Sequence, residues 1–309
     1  MPVFNGERFI SASIRSILEQ TFGDLELVIV DDGSTDGTCD VIAGFNDPRL
    51  VVHHQPNQGI AQALNTGITL ARAPLIARHD HDDIALPERL WQQVEYLSLH
   101  PEVGLLGTWA RKIDLQGAPI GVLEHPTQHE AIAYYLHFDS VFVHPSVVYR
   151  KAIFEQAGPY RNVPLEDLDL WQRMIHITRA ANLPRHLLLY RVVPGSLSHA
   201  TTARNRDLME LRRRYFEDQH SQITGRQLEL ISSFGIGHPL VTSKELRELH
   251  ARLILLIRSI VHDVELRERL VTRLSMELMS YRLMPHSTFF HRLFDKLLKL
   301  SILRSASRT

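Results

Sequence analysis

"LELVIVDDGSTDGT" occupies residues 25–38, and its two halves follow different rules. "LELVIV" (25–30) is apolar and rich in β-branched side chains, the make-up of a short buried strand. "DDGSTDGT" is built of Asp, Gly, Ser and Thr, residues that bond their own backbone or accept positive φ, and it reads as a turn. A helical pattern, "CDVIAGF", follows it. Working outward, residues 6–20 place Phe9, Ile10, Ile14, Ile17 and Leu18 on one helix face. Downstream, strand "LVVHH" (50–54), helix "IAQALNTGITLAR", strand "PLIARHD", helix "PERLWQQVEYLSLH" and strand "VGLLGTWARKI" repeat the rhythm. Strand, helix and strand in alternation imply an α/β fold, a mostly parallel sheet with helices on both faces. In such sheets the ligand site lies at the carboxyl ends of the strands.

Bulk composition narrows the function classes. With 309 residues, 44% of them hydrophobic, the chain can bury a large core and about two domains are expected. Lys+Arg of 34 against Asp+Glu of 35 leaves a net charge of -1, so nothing global draws the chain to nucleic acid. One cysteine, Cys39, excludes an internal disulfide and a thiolate cage, which suits a cytoplasmic setting. No apolar run reaches the ~20 residues that a spanning helix needs, and "MPVFNGERF" lacks the regions of a signal peptide.

Two acidic clusters fall at strand ends: Asp31 and Asp32 after "LELVIV", and Asp80, Asp82 and Asp83 in "RHDHDD" after "PLIA". Either cluster alone is as well explained by turn formation or helix capping. Were the second run extended, Asp80 and Asp82 would share a face while His79 and His81 point the other way. Two carboxylates at that spacing are hard ligands suited to Mg²⁺ or Mn²⁺ with substrate phosphate oxygens, whereas the histidines reach a metal only if the segment is a turn instead.

Six blocks in order, "PVFNGERFISASIRSILEQTFGDLELVIVDDGSTDGT", "NQGIAQALNTGI", "IARHDHDDIALPERL", "HPSVVYRK", "EDLDLW" and "LLLYRVVPGSLS", resemble the successive motifs of the family 2 inverting glycosyltransferases with the GT-A fold. The match runs from Pro2 to about Ser198. The resemblance implies a Rossmann-like catalytic domain over 1–200, a nucleotide-diphosphate sugar donor, a divalent metal and transfer of a sugar to an acceptor hydroxyl with inversion, as in cell-surface polysaccharide or glycolipid synthesis. It places Pro2, Val3, Asn5, Asp31, Asp32 and Asp80 along the nucleotide, with Asp32 accepting from a base ring N–H. It makes Asp82 the direct metal ligand with Asp80 beside it, and Asp83 an organiser of the loop before "PERL". Asn65 suits packing beside the nucleotide. Asp167 is the expected base, taking the acceptor's proton, with Glu166, His144 and Trp171 on the acceptor side. Residue by residue, the bland readings stand beside these: Glu166, Asp167 and Asp169 as first-turn acids of a helix, Trp171 as core, His144 and Ser146 as a buried polar pair.

Two features depart from the family. Relatives begin with an apolar strand ahead of "P-V-F-N-G", so the first strand of the sheet is expected to be missing here, leaving two strand edges exposed. Either the start is internal or the copy is truncated. Relatives also carry a histidine where Val193 stands, and His199 replaces it only if its loop folds back.

Beyond Thr201 only pattern remains. "RDLMELRRRYFEDQ", "KELRELHARLILLIRSIVHDV" and "ELRERLVTRLSMELMSYRLM" predict a helical region over 201–309. Its tail, 286–309, combines an apolar face from Phe289 to Leu300 with basic residues, suited either to an anionic membrane surface carrying a lipid-linked acceptor or to docking on the bundle. Two competing functions are a truncated, inactive sugar-nucleotide binder and a Mg²⁺-dependent phosphohydrolase with Asp80 as nucleophile.

Overall fold

The structure is a computed structural model that describes residues 1–194, 201–219, 225–233 and 243–283. The chain divides into two units: Met1–His125 with Phe142–Ser196, and Pro126–Val141 with Leu197–Thr309.

In the first unit, β1 (Pro2–Val3), α1 (Ile10–Leu18), β2 (Leu27–Asp31), α2 (Thr38–Ala43), β3 (Leu50–His54), α3 (Ile60–Leu70), β4 (Leu75–Ala77), β5 (Ile84–Ala85), α4 (Arg89–Leu99), β6 (Val103–Ile113) and β7 (Pro119–Leu123) follow in order. The second unit inserts α5 (His129–Tyr135); the first then resumes with a 3₁₀ turn (His144–Ser146), β8 (Val148–Arg150), α6 (Lys151–Ala157), α7 (Glu166–Met174) and β9 (Arg179–Arg191). Helix α1 forms because Ile10, Ile14 and Ile17 recur at helical spacing, and that stripe is buried against Leu27, Ile29 and Ile42. All five residues of β2 are buried, as expected of a strand covered on both faces.

The sheet differs from the expectation of a mostly parallel array. Strands β1, β2 and β3 form a parallel sheet in that order, with Pro2 opposite Val30 and Leu27 opposite Leu50. The remaining strands form a mixed sheet, β4-β8-β6-β9-β5 with β7 on β6. There only the β6–β9 pair is parallel. The hydrophobic pattern specifies which residues are strands but leaves pairing direction to the connections, and β7 and β8 return antiparallel.

The expected missing first strand is present as a two-residue stub. Met1 continues it: its amine donates to the Val28 carbonyl at 2.8 Å, and its carbonyl accepts from Val30 N at 2.9 Å. Beside the stub lies a cavity of about 610 Å³ lined by apolar groups of β2, α3 and β4, among them Val28, Val30, Leu64, Ile68 and Ile76.

The second unit holds α8 (Thr201–Gln219), α9 (Arg226–Ser232), α10 (Ser243–Ile260) and α11 (Val264–Leu283) besides α5. Leu208, Phe216, Ile231, Leu253, Ile257 and Leu274 are buried in it. Arg212 Nε donates to the Phe138 carbonyl at 2.6 Å, and Arg204 pairs with Asp139 at 2.7 Å. The segment 126–141 therefore belongs with the helices rather than with the domain assigned as 1–200. No helix among the described residues is long and apolar enough to cross a membrane. The amphipathic tail 286–309 lies outside the described residues.

Candidate active site

The candidate residues lie at or just beyond the ends of β2, β4 and β9. Asp31 closes β2 and splits its carboxylate: Oδ1 accepts from Ser34 N at 3.1 Å, and Oδ2 meets Cys39 Sγ at 3.2 Å and His54 Nδ1 at 3.0 Å. Asp32 is buried, and its carboxylate accepts from Gln55 Nε2 at 2.7 Å, Gln58 N at 3.0 Å and Gly59 N at 2.8 Å. It holds the loop between β3 and α3, leaving about one of a carboxylate's four acceptor directions for a base. Asn5 takes positive φ, 51°, and its Oδ1 accepts from Thr35 N at 2.8 Å while its own N–H donates to Ser34 Oγ at 2.9 Å. Pro2 and Val3 are buried in β1, and the Val3 carbonyl is already engaged by Asp32 N at 2.8 Å. Asn65 clamps the main chain of Tyr160 with both ends of its amide, at 2.9 Å each.

The run "RHDHDD" is not extended beyond β4. The chain leaves the sheet at Ala77 and turns through 81–82, so strict alternation does not apply. The turn gathers Asp80, Asp82 and Asp83 together, their ligand oxygens within 4.8 Å of one another. Ser13 Oγ fixes the loop by donating to the Asp80 carbonyl at 2.8 Å. Arg78, fully buried, pairs its guanidinium with Asp80 while its Nε has no acceptor. Burial first, then the neighbouring carboxylates, pushes Asp82 up and Asp83 well up from the usual carboxylate range. Asp83 Oδ1 accepts from Arg191 N at 2.7 Å, but its buried Oδ2 has no partner. Clustered hard oxygens with one orphaned and two desolvated carboxylates fit a divalent cation, which relieves both. Asp83 thus stands in the carboxylate cluster as well as ahead of α4.

The two histidines of the run have different surroundings, and His81 acts electrostatically on Asp82. His79 is buried against Arg89 Nη1 at 3.1 Å, and burial together with that guanidinium holds it neutral. His81 lies over Gly6, where an added Cβ would come within 2.6 Å of its ring.

Helix α7 starts after Leu165, which takes left-handed φ of 56°, and places Glu166 and Asp167 in its first turn. Burial, then the charge of Asp167, raises Glu166 to about 7, and the charges of Arg78 and Asp80 also reach it. That electrostatic reach ties the helix start to the carboxylate cluster. His144 Nε2 meets Tyr160 OH at 3.0 Å, and burial holds its ring neutral. Trp171 is fully buried among Phe142, His144, Tyr149 and Tyr160, so it packs the core and offers no face to an acceptor.

The chain matches the model of "Glycosyl transferase family 2" over residues 1–158. The chain belongs to glycosyl transferase family 2. It is 34% identical over 202 residues to the O-antigen biosynthesis glycosyltransferase WbnJ of Escherichia coli, covering 62% of this chain and 78% of that one. Its fold resembles that of S. aureus TarS 1–349, solved with UDP-GlcNAc, at a TM-score of 0.60 and 17% identity over 93% of this chain and 91% of that one. The mannosyltransferase PcManGT of Pyrobaculum calidifontis, solved with GDP-Man and Mn²⁺, superposes with a TM-score of 0.56 at 18% identity, over 99% and 84% of the two chains. The family 2 chain is therefore a glycosyltransferase with the α/β GT-A fold.

Sequence reasoning passed over Arg78, Arg191 and Tyr160. Arg78 is the buried cation of the site, and Arg191 Nε holds the Asp82 carbonyl at 2.9 Å while its Nη1 holds that of Asp114 at 2.9 Å. Both arginines lie within motifs of the sequence, but only folding brings Arg191 to Asp82 and Asp83, more than a hundred positions away. Val193 follows β9 half-buried, and His199 lies outside the described residues.

Proposed function

We propose that this glycosyltransferase moves a sugar, with inversion, from a nucleotide-diphosphate donor to an acceptor hydroxyl in the synthesis of a surface polysaccharide or glycolipid, on the cytoplasmic side of the membrane. The observation that carries the reading is the carboxylate cluster Asp80, Asp82 and Asp83 beneath the buried Arg78, within electrostatic reach of Glu166. The O-antigen role named for the Escherichia coli relative supports the substrate class.

Asp82 and Asp83, with Asp80 held by Arg78, are the residues that would hold Mg²⁺ or Mn²⁺. Such an ion, when bound, offsets negative charge on the donor diphosphate. Asn5, Asp32 and the turn 31–38 position the nucleoside. Asp167 takes the proton of the acceptor hydroxyl as its oxygen bonds to the anomeric carbon and the bond to the diphosphate oxygen breaks; one displacement inverts the centre. Glu166, raised to about 7 by burial and then by the charge of Asp167, shares that helix start. Asp80 is engaged by Arg78, which disfavours it as a phosphohydrolase nucleophile.

The test is thermal stabilisation by a panel of UDP-, GDP- and dTDP-sugars, with and without Mn²⁺. Asp82→Ala is expected to lose the metal-dependent shift, and Asp167→Asn to keep the shift and lose transfer by about 10³-fold or more. Equal loss of binding in both variants would remove Asp167 from the role of base.

A further inference from the structure

On the opposite side of the β2 carboxyl end from the Asp32 cradle, three different ligand types meet. Asp31 and His54 are register partners on the adjacent parallel strands β2 and β3, so their side chains leave the sheet together. Cys39 reaches them from α2. The ligand atoms form a triangle: Asp31 Oδ2 to His54 Nδ1 at 3.0 Å, Asp31 Oδ2 to Cys39 Sγ at 3.2 Å and Cys39 Sγ to His54 Nδ1 at 3.9 Å. A tetrahedral zinc with ordinary bond lengths needs edges of about 3.3, 3.5 and 3.6 Å for the same three pairs. Each edge of the metal-free triangle is therefore within about 0.4 Å of that requirement.

Charge and access agree with this geometry. The thiol is faced by the carboxylates of Asp31, Asp40 and Asp36, which together with burial raise it and favour a cation beside it. The Asp31 side chain is 4% exposed and fixed by Ser34 N, whereas that of His54 is 56% exposed, leaving an open side for entry and for a water as fourth ligand. A mixed O/N/S donor set selects zinc over Mg²⁺ or Mn²⁺, which prefer all-oxygen shells.

We propose that Asp31, Cys39 and His54 form a zinc site, separate from the carboxylate cluster of the catalytic centre, that fastens the turn 31–38 to β3. Coordination replaces the thiol proton, so about one proton leaves per ion and binding tightens as pH rises. The turn it would fasten carries Ser34 and Thr35, the partners of Asn5.

The test uses the reduced full chain stripped by chelator and titrated with Co²⁺, then Zn²⁺ in competition, followed by the near-ultraviolet thiolate-to-cobalt charge-transfer band. The wild type is expected to develop the band at one equivalent and lose it to Zn²⁺. Cys39→Ser is expected to abolish it, His54→Ala to weaken binding about tenfold or more, and Asp82→Ala to leave it intact. Melting of the metal-free variants checks their folding, and both changes are small: a near-isosteric swap and a half-exposed side chain. Absence of the band in the wild type, or unchanged affinity in His54→Ala, would overturn the proposal. Because Asp82→Ala spares this site and abolishes Mn²⁺-dependent donor binding, failure here and failure of the transferase mechanism are separable.

Discussion

Glu166 carries the most informative titration in the molecule. Its carboxyl is raised to about 7 by burial and then by Asp167, so folding is easiest while it keeps its proton. A raised folded value means that its contribution to stability is fully present below about pH 4 and is lost as pH rises through about 7. Glu166→Gln is therefore expected to melt higher than wild type at pH 8 and level with it at pH 4. Transfer is expected to fall off on the acid side as Glu166 takes up its proton near pH 7, and Glu166→Gln is expected to remove that limb. A limb that stays in place would take Glu166 out of the reacting pair. Asp32 shows the opposite condition, a buried carboxylate with three donors of its own chain. Asp32→Ala strands the Gln55 amide and two main-chain N–H groups, and urea unfolding is expected to show a loss of about 3 kcal/mol.

Among the elements, the end of β9 decides the shape of the carboxylate loop. Arg191 reaches Asp82 and Asp114 through its guanidinium and lies over the ring of Phe9 at 4.5 Å, while its N–H holds Asp83. Arg191→Ala keeps the main-chain bond and loses the fork. It is expected to destabilise by about 2 kcal/mol and to weaken Mn²⁺ affinity about tenfold, measured by calorimetry. Lysine restores little, since a point donor cannot span two carbonyls. In the helical unit Arg212 plays the corresponding part. Burial lowers it to about 10, and it bridges the Phe138 carbonyl and, at 3.2 Å, that of Ser232. Arg212→Ala is expected to cost about 3 kcal/mol in the melting of that unit, because two buried carbonyls lose their donor.

At the scale of the whole molecule, the three parallel strands and the mixed sheet are separate, and β1 is two residues long. The Met1 amine is buried at the mouth of the 610 Å³ cavity, and desolvation lowers it to about 5. A lowered folded value gives stability that is present above about pH 8 and lost as pH falls through 5. Five apolar β-branched residues placed ahead of Met1 turn that amine into a peptide N–H and are expected to occupy the cavity beside β1. Such an extended chain is expected to melt several degrees higher and to lose this part of its pH dependence; an unchanged melting curve would show that the cavity does not accept a strand.

Particular elements show where sequence was enough. Strand β2, helix α1, helix α4 and strand β6 were legible because their apolar residues repeat with the period of their own backbone. The acids that close β2 and follow β4 were legible because strand ends collect ligands in α/β sheets. The two-residue stub, the antiparallel returns of β7 and β8, and the short helices α5 and α9 carried too few residues to show a period.

By itself, then, the sequence determined the family, the alternation of strands and helices, and the chemical types at the site, since these depend on local patterning and ordered motifs. Tertiary structure alone decided that Arg78 and Arg191 hold the carboxylate cluster, that Asp83 keeps a buried oxygen without a partner in it, that Trp171 offers no face to an acceptor, and that Asp31, Cys39 and His54 meet. Those facts depend on which distant residues share a desolvated volume, and burial and charge at a point in space have no signature in linear spacing.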